Sequence, residues 1–219
     1  MSLLVKICGL STPETVAAAR DAGADMLGFV FHPKSPRYVK PEQAFVLAES
    51  ARGRARIVAL MVDRDEPEAL GLVERSGADW VQLHGAESAG LVEAIRMTTD
   101  HPVMKALGVS GRGDLDRVQR YAAVSDLLLL DAKPPKDAAY PGGHGRSFDW
   151  TILAALDPGI PFMLSGGLDP ANVGQAIRIV RGLGVNLVGV DVSSGVESAP
   201  GVKDIDRIRA FVAAVRQAE

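Results

Sequence analysis

Gly23-Ala24-Asp25-Met26-Leu27-Gly28-Phe29-Val30-Phe31 is the stretch on which the fold reading turns. Ahead of it, Thr12-Pro13-Glu14 opens a helical run with a proline and an early carboxylate in the first turn, where free N–H groups favour both. Gly23 closes that run, as a residue able to turn left-handed does. Met26–Phe31 is then short, apolar and β-prone, the signature of a buried parallel strand. The same succession returns further on: Glu66-Pro67-Glu68 starts a helix, Gly77-Ala78-Asp79 stops it, and Trp80–Leu83 follows as a strand.

Outward from these two copies, the alternation runs from one end of the chain to the other. The further strand candidates are Leu3–Cys8, Ile57–Val62, Val103–Leu107, Leu127–Asp131, Phe162–Leu164 and Leu187–Asp191. Asp169-Pro170 reads as another helix start. The last segment sets Ile205, Ile208, Phe211, Val212 and Val215 on one side, an amphipathic helix to lay against a sheet. Eight such βα pairs in 219 residues predict an α/β fold, a single-domain (β/α)8 or TIM barrel spanning residues 1–219. A doubly wound open sheet is the alternative, but the first turn, Cys8-Gly9-Leu10-Ser11, lacks the G-x-G-x-x-G fingerprint. Lys133 to Ser147, rich in proline and glycine, reads as a long loop after the sixth strand.

Composition narrows the partners. With 27 acidic and 24 basic side chains the formal charge is -3, too little positive field to hold a nucleic acid by counterion release. Aromatic residues are 5% of the chain, few for a base-stacking platform. No run reaches the roughly 18 apolar residues of a membrane helix. The segment Met1–Leu10 does not read as a signal peptide, and a lone cysteine makes no intramolecular disulfide, so the expected compartment is the reducing cytoplasm. The four histidines, His32, His84, His101 and His144, are dispersed and form no zinc motif, so no metal is expected.

In such barrels the chemistry gathers where strands end at their C-termini. Those positions here are Cys8, the segment His32 to Arg37, Gln82 and His84, Asp131, and Asp191. Cys8 is either an inert buried thiol or a reactive one, the latter requiring a thiolate; Lys6 points to the same side of the pleat. Asp131 follows four leucines, so burial would favour its protonated, acid form; its plainer role is a cap or a partner for Lys133. Arg37 has the planar fork that clamps a carboxylate, or is an exposed loop arginine. Ser165-Gly166-Gly167-Leu168 and Asp191-Val192-Ser193-Ser194-Gly195 follow the last two strands. Their glycines, N–H groups and hydroxyls suit a phosphate, as recurs in these two loops of such barrels.

Taken together, seven motifs in order resemble the phosphoribosylanthranilate isomerase family. They are Lys6-Ile7-Cys8-Gly9-Leu10; Gly28-Phe29-Val30-Phe31 with Ser35-Pro36-Arg37; Val81-Gln82-Leu83-His84-Gly85; Leu130-Asp131-Ala132-Lys133; Gly142-Gly143-His144-Gly145 with Phe148-Asp149-Trp150; Leu164 to Leu168 with Asn172-Val173; and Gly189 to Glu197. The resemblance covers almost the whole chain. It implies a cofactor-free Amadori rearrangement of a phosphoribosyl small molecule in tryptophan biosynthesis, by a monomer or homodimer. By position it makes Cys8 the general base and Asp131 the general acid. Arg37 would meet the anthranilate carboxylate, and the loops carrying Gly166, Gly167, Ser193 and Ser194 would hold the phosphate; His84 and Asp191 complete the expected substrate contacts. His144 departs from the threonine usual in its loop. A related isomerase of histidine biosynthesis performs the same rearrangement, but its family uses two aspartates where this chain has Cys8 and Asp131. A non-catalytic phospholigand-binding barrel is the remaining alternative.

Overall fold

Each of the eight expected runs forms a strand in the computed structural model, which describes residues 2–133 and 147–219. They are β1 (Leu4–Cys8), β2 (Met26–Val30), β3 (Arg56–Met61), β4 (Trp80–Leu83), β5 (Val103–Val109), β6 (Leu127–Ala132), β7 (Phe162–Leu164) and β8 (Leu187–Val192). All pair in parallel with their sequence neighbours, and β8 returns to β1 to close the barrel. Closure matters because it leaves no strand edge unpaired.

The Gly-Ala-Asp echo has a structural cause. Gly23 and Gly77 both take left-handed conformations, φ 88° and 57°, that end the helices α1 (Pro13–Ala22) and α3 (Glu66–Ser76). The aspartate that follows then clasps the preceding strand: Asp25 accepts the N–H of Val5 at 2.8 Å and Asp79 accepts that of Ile57 at 2.7 Å. Asp126, at the foot of β6, does the same for Val103 at 2.8 Å. Each also returns its own backbone N–H to the same residue's carbonyl, so three strand pairs are stitched at the floor of the barrel.

The other helices are α2 (Pro41–Ala48), α4 (Ala89–Thr98), α5 (Asp116–Ala122), α6 (Val173–Gly182) and α7 (Ile205–Gln217). α7 buries Ile208, Phe211, Val212 and Val215 and packs against α1, joining the first and last units. Among the described residues none of these helices is long and apolar enough to cross a membrane. Two expectations need correction. Among the described residues there are seven α-helices for eight strands, and what lies between β6 and β7 is the 3-10 turn Trp150–Ala155, bounded by the Asp149 cap and the Asp157-Pro158-Gly159 turn. And α6 starts at Val173, not at Asp169-Pro170. There Asp169 accepts the N–H groups of Ala171 and Asn172, a local turn that competes with helix. The expected loop of residues 134–146, with Gly142, Gly143, His144 and Gly145, lies outside the described residues.

The core has two shells. Outward-facing strand residues and the helix faces form the larger one, with Ile7, Phe29, Leu83 and Phe162 essentially sealed from solvent. Inside the barrel Met26, Val58, Met104, Ala106, Leu127, Leu129 and Met163 form a plug below the mouth. Its three methionines are unbranched side chains able to fill an irregular interior.

Candidate active site

On the wall formed by β1 and β8, the register places Lys6 beside Asp191, both facing inward. Lys6 Nζ lies 2.7 Å from Asp191 Oδ1, and the hydroxyl of Ser165 donates to Oδ2 at 2.9 Å, so both carboxylate oxygens are satisfied. Cys8 follows one pleat above Lys6 and is buried. Gly28 makes room for it, since a Cβ there would come within 3.0 Å of the sulfur and 3.3 Å of Lys6 Nζ. Burial pushes the Cys8 thiol up; Lys6 and Lys203 pull it down, and Asp191 adds to the rise, leaving it above the ordinary thiol value. For Lys6 burial works against the charge, yet Asp191 and Cys8 outweigh it and hold the ammonium above the ordinary lysine value.

Arg37 makes a bidentate clamp on a carboxylate, and that carboxylate is Glu197: Nε and Nη2 donate at 2.7 and 2.8 Å. The residue is 4% exposed, so the reading as an exposed loop arginine does not hold. Lys203 joins the pair, donating to Glu197 Oε1 at 2.7 Å and to the Ser193 carbonyl at 2.8 Å. Glu197 and Lys203 belong to a small antiparallel hairpin, β9 (Glu197–Ala199) and β10 (Val202–Lys203), that leans over the mouth. Burial depresses Lys203 to about 8, against the pull of Glu197.

The second wall is β4 and β6. Asp131 Oδ2 lies 3.2 Å from His84 Nε2, and the carboxylate is 5% exposed. Behind the ring, Gln82 Nε2 sits 3.1 Å from His84 Nδ1. Asp131 is not the partner of Lys133, whose ammonium goes to Asp114.

Between the walls run the two glycine loops. Gly166 and Gly167 take φ 84° and 66°, conformations only glycine adopts readily. A Cβ on Gly166 would stand 2.3 Å from the Ala132 nitrogen and 2.9 Å from Asp131 Oδ1, so this loop sits directly on the acid wall. Asn172 braces it, donating to the Gly167 carbonyl at 2.8 Å. Gly195 comes so close to Leu168 that a Cβ would be 1.9 Å from its carbonyl oxygen, which locks both loops into one cradle of backbone.

All nine expected site residues, Cys8, Arg37, His84, Asp131, Gly166, Gly167, Asp191, Ser193 and Ser194, line a single cavity at the C-terminal mouth of the barrel. That is the place of a small-molecule site in this fold. Residues 5–214 match the family model for N-(5'-phosphoribosyl)anthranilate isomerase. The chain belongs to that family. An N-(5'-phosphoribosyl)anthranilate isomerase of Azorhizobium caulinodans is 57% identical over 219 residues, covering all of this chain and 94% of that one. Among solved structures, the phosphoribosylanthranilate isomerase of Thermotoga maritima is 36% identical with a TM-score of 0.86, covering 98% and 99% of the two chains. Another phosphoribosylanthranilate isomerase, solved with reduced 1-(o-carboxyphenylamino)-1-deoxyribulose 5-phosphate, is 34% identical with a TM-score of 0.84, over the same shares of the two chains.

The sequence reading missed Lys203, which binds the Ser193 carbonyl at the mouth, and the buried pair Lys105 and Glu87 outside the barrel wall. One signal was available for Lys105, a charged side chain inside the apolar run Val103–Leu107, since a buried ammonium needs a partner. Nothing in the run names that partner.

Proposed function

We propose that this chain converts N-(5'-phosphoribosyl)anthranilate to 1-(2-carboxyphenylamino)-1-deoxyribulose 5-phosphate in tryptophan biosynthesis, with Asp131 as general acid and Cys8 as general base. The observation that carries the reading is one carboxyl group paired to an imidazole and one thiol flanked by ammonium groups, on two walls of a single cavity roofed by a backbone cradle for phosphate.

The proton that Asp131 delivers is its own carboxyl proton, from a side chain whose Oδ2 lies 3.2 Å from His84 Nε2. Passed to the furanose ring oxygen, it lets the C1–O bond break while the amine nitrogen's lone pair forms the iminium. The iminium acidifies the sugar C2 hydrogen. A Cys8 thiolate removes it, and the electron pair moves to nitrogen, giving a neutral enolamine that tautomerises to the ketose. Burial disfavours that thiolate, and the cation forming on the substrate offsets this at the step that uses it. Gly166, Gly167, Ser193 and Ser194 hold the phosphate through N–H and hydroxyl donors. Arg37, fixed by Glu197, meets the anthranilate carboxylate, and Asp191 keeps Lys6 beneath the sulfur. Such anchoring supplies the share of the rate that two proton transfers do not.

The test is loss of substrate fluorescence when purified protein meets N-(5'-phosphoribosyl)anthranilate, run beside the phosphoribosyl aldose substrate of histidine biosynthesis. Turnover of the first alone is expected. Folded protein that consumes neither, or only the second, overturns the proposal.

A further inference from the structure

Lys105 is 1% exposed, on the face of β5 that looks away from the barrel interior, behind the acid wall. Its neighbours Met104 and Ala106 point inward, while Val103 and Leu107 pack in the outer shell with it. All three hydrogens of its ammonium find acceptors: the Leu83 carbonyl at 3.2 Å, the Gly85 carbonyl at 2.8 Å and Glu87 Oε2 at 2.8 Å. The first two carbonyls flank His84. One buried charge therefore grips the backbone on both sides of the residue that meets Asp131.

Glu87, itself 3% exposed, completes the grip. Its carboxylate accepts the Gly85 N–H at 3.0 Å and the Asp63 N–H at 2.9 Å, and the Tyr121 hydroxyl donates to its backbone carbonyl at 2.8 Å. Asp63 in turn accepts the Ala86 N–H at 2.6 Å and stands at φ 49°, a left-handed conformation unusual for a residue with a side chain. Gly85 tolerates this closeness because it has no Cβ, which would meet Asp63 Oδ1 at 2.2 Å. His84 itself donates its backbone N–H to Met61 at 2.9 Å. Well-packed apolar residues fill such a space at least as stably as a buried ion pair, so stability alone does not account for one here. What the pair adds is direction, because its bonds converge on the turn that carries His84.

We propose that the buried Lys105–Glu87 pair is a positioning device for the acid: it fixes the turn from Leu83 to Gly85 so that the His84 imidazole is presented to the Asp131 carboxylate. This rests on the reading of Asp131 as the proton donor. Substrate anchoring lies in the loops after β2, β7 and β8, so loss of the pair lowers kcat and spares KM.

The experiment compares wild type, Lys105→Met, Glu87→Gln, His84→Ala and His84→Ala/Lys105→Met. Each is checked for fold by circular dichroism and for turnover of N-(5'-phosphoribosyl)anthranilate. Lys105→Met is expected to lower kcat about 10- to 100-fold, the cost of a misplaced catalytic group, with KM within about threefold. Glu87→Gln, which keeps the shape of the side chain, moves kcat in the same direction by less and serves if the methionine variant does not fold. In the His84→Ala background, Lys105→Met changes kcat less than about twofold, because residues acting through one another are not additive. An equal loss in both backgrounds, a loss in KM alone, or folded Lys105→Met or Glu87→Gln with wild-type kcat overturns the inference. Absence of turnover by the wild type is a separate failure, that of the functional reading. The His84 ring resonances then judge the device alone: they shift in Lys105→Met or Glu87→Gln if it is right and stay in place if it is wrong.

Discussion

Asp191 on the β1–β8 wall faces an ammonium, while Asp131 on the β4–β6 wall faces an imidazole. Both carboxylates are buried at the end of a strand, yet their partners assign them different work. A lysine–carboxylate pair keeps its proton on nitrogen, and Asp191 with Cys8 lifts Lys6 above the ordinary lysine value in spite of burial. That wall holds fixed charge beneath a sulfur. Among the described residues Asp131 has no lysine against it and opens onto the cavity with His84 as its partner. The same residue type is thus a fixed support on one side and, in the function proposed above, the proton donor on the other, according to what stands 3 Å away.

The difference can be broken directly. Asp131→Asn and Cys8→Ala each remove one of the two proton transfers, and each lowers kcat by about 10²- to 10⁴-fold with the circular dichroism spectrum kept. Normal turnover by either folded variant erases the division of labour. Lys6→Met attacks the fixed side, leaving Asp191 buried with Ser165 alone. It is expected to cost about 3–5 kcal/mol in urea unfolding, as removal of one member of a buried pair does. A loss below about 1 kcal/mol means that the pair is not the support described.

Acidity gives a finer comparison. Because burial raises the Cys8 thiol, kcat/KM climbs as pH rises past neutral. Lys203 pulls the thiol down, so Lys203→Met moves that rising limb to higher pH. Lys203 sheds its own proton at about 8, so the gap between variant and wild type is widest below that pH and closes above it. A gap that widens in alkali contradicts the assignment. The smallest effect lies at the outer edge of the acid wall. Partial burial would raise Asp114, but Lys133 and Ser110 bind it and hold it at about 2. Its stabilisation is complete above the ordinary aspartate value and is lost as pH falls towards 2. Asp114→Asn costs about 1 kcal/mol or less at pH 7, and its stability curve merges with that of wild type near pH 2.

Strands were legible because each is a short apolar run with a stop before it, and their ends moved by at most two residues. The 3-10 turn at Trp150–Ala155 was not, since five of its six residues are apolar and six residues do not show a period. Asp169-Pro170 misled because the signals that start a helix also start the Asx turn that delays one. The nine mouth residues were readable from strand ends and motif order. Their supports were not. Lys105 meets Glu87 across eighteen positions of chain, and Arg37 meets Glu197 across 160; such partners are set by barrel register, which local sequence does not encode.

The aspartate clasps at the barrel floor divide the molecule in a way the mouth does not show. They join β1 to β2, β3 to β4 and β5 to β6, each with a side chain added to the backbone ladder. Six of the eight staves of this cask are therefore nailed in twos, and its seams differ in strength. Hydrogen exchange at the floor should find the amides of Val5, Ile57 and Val103 among the slowest at their level, with β2–β3 and β4–β5 the joints that breathe.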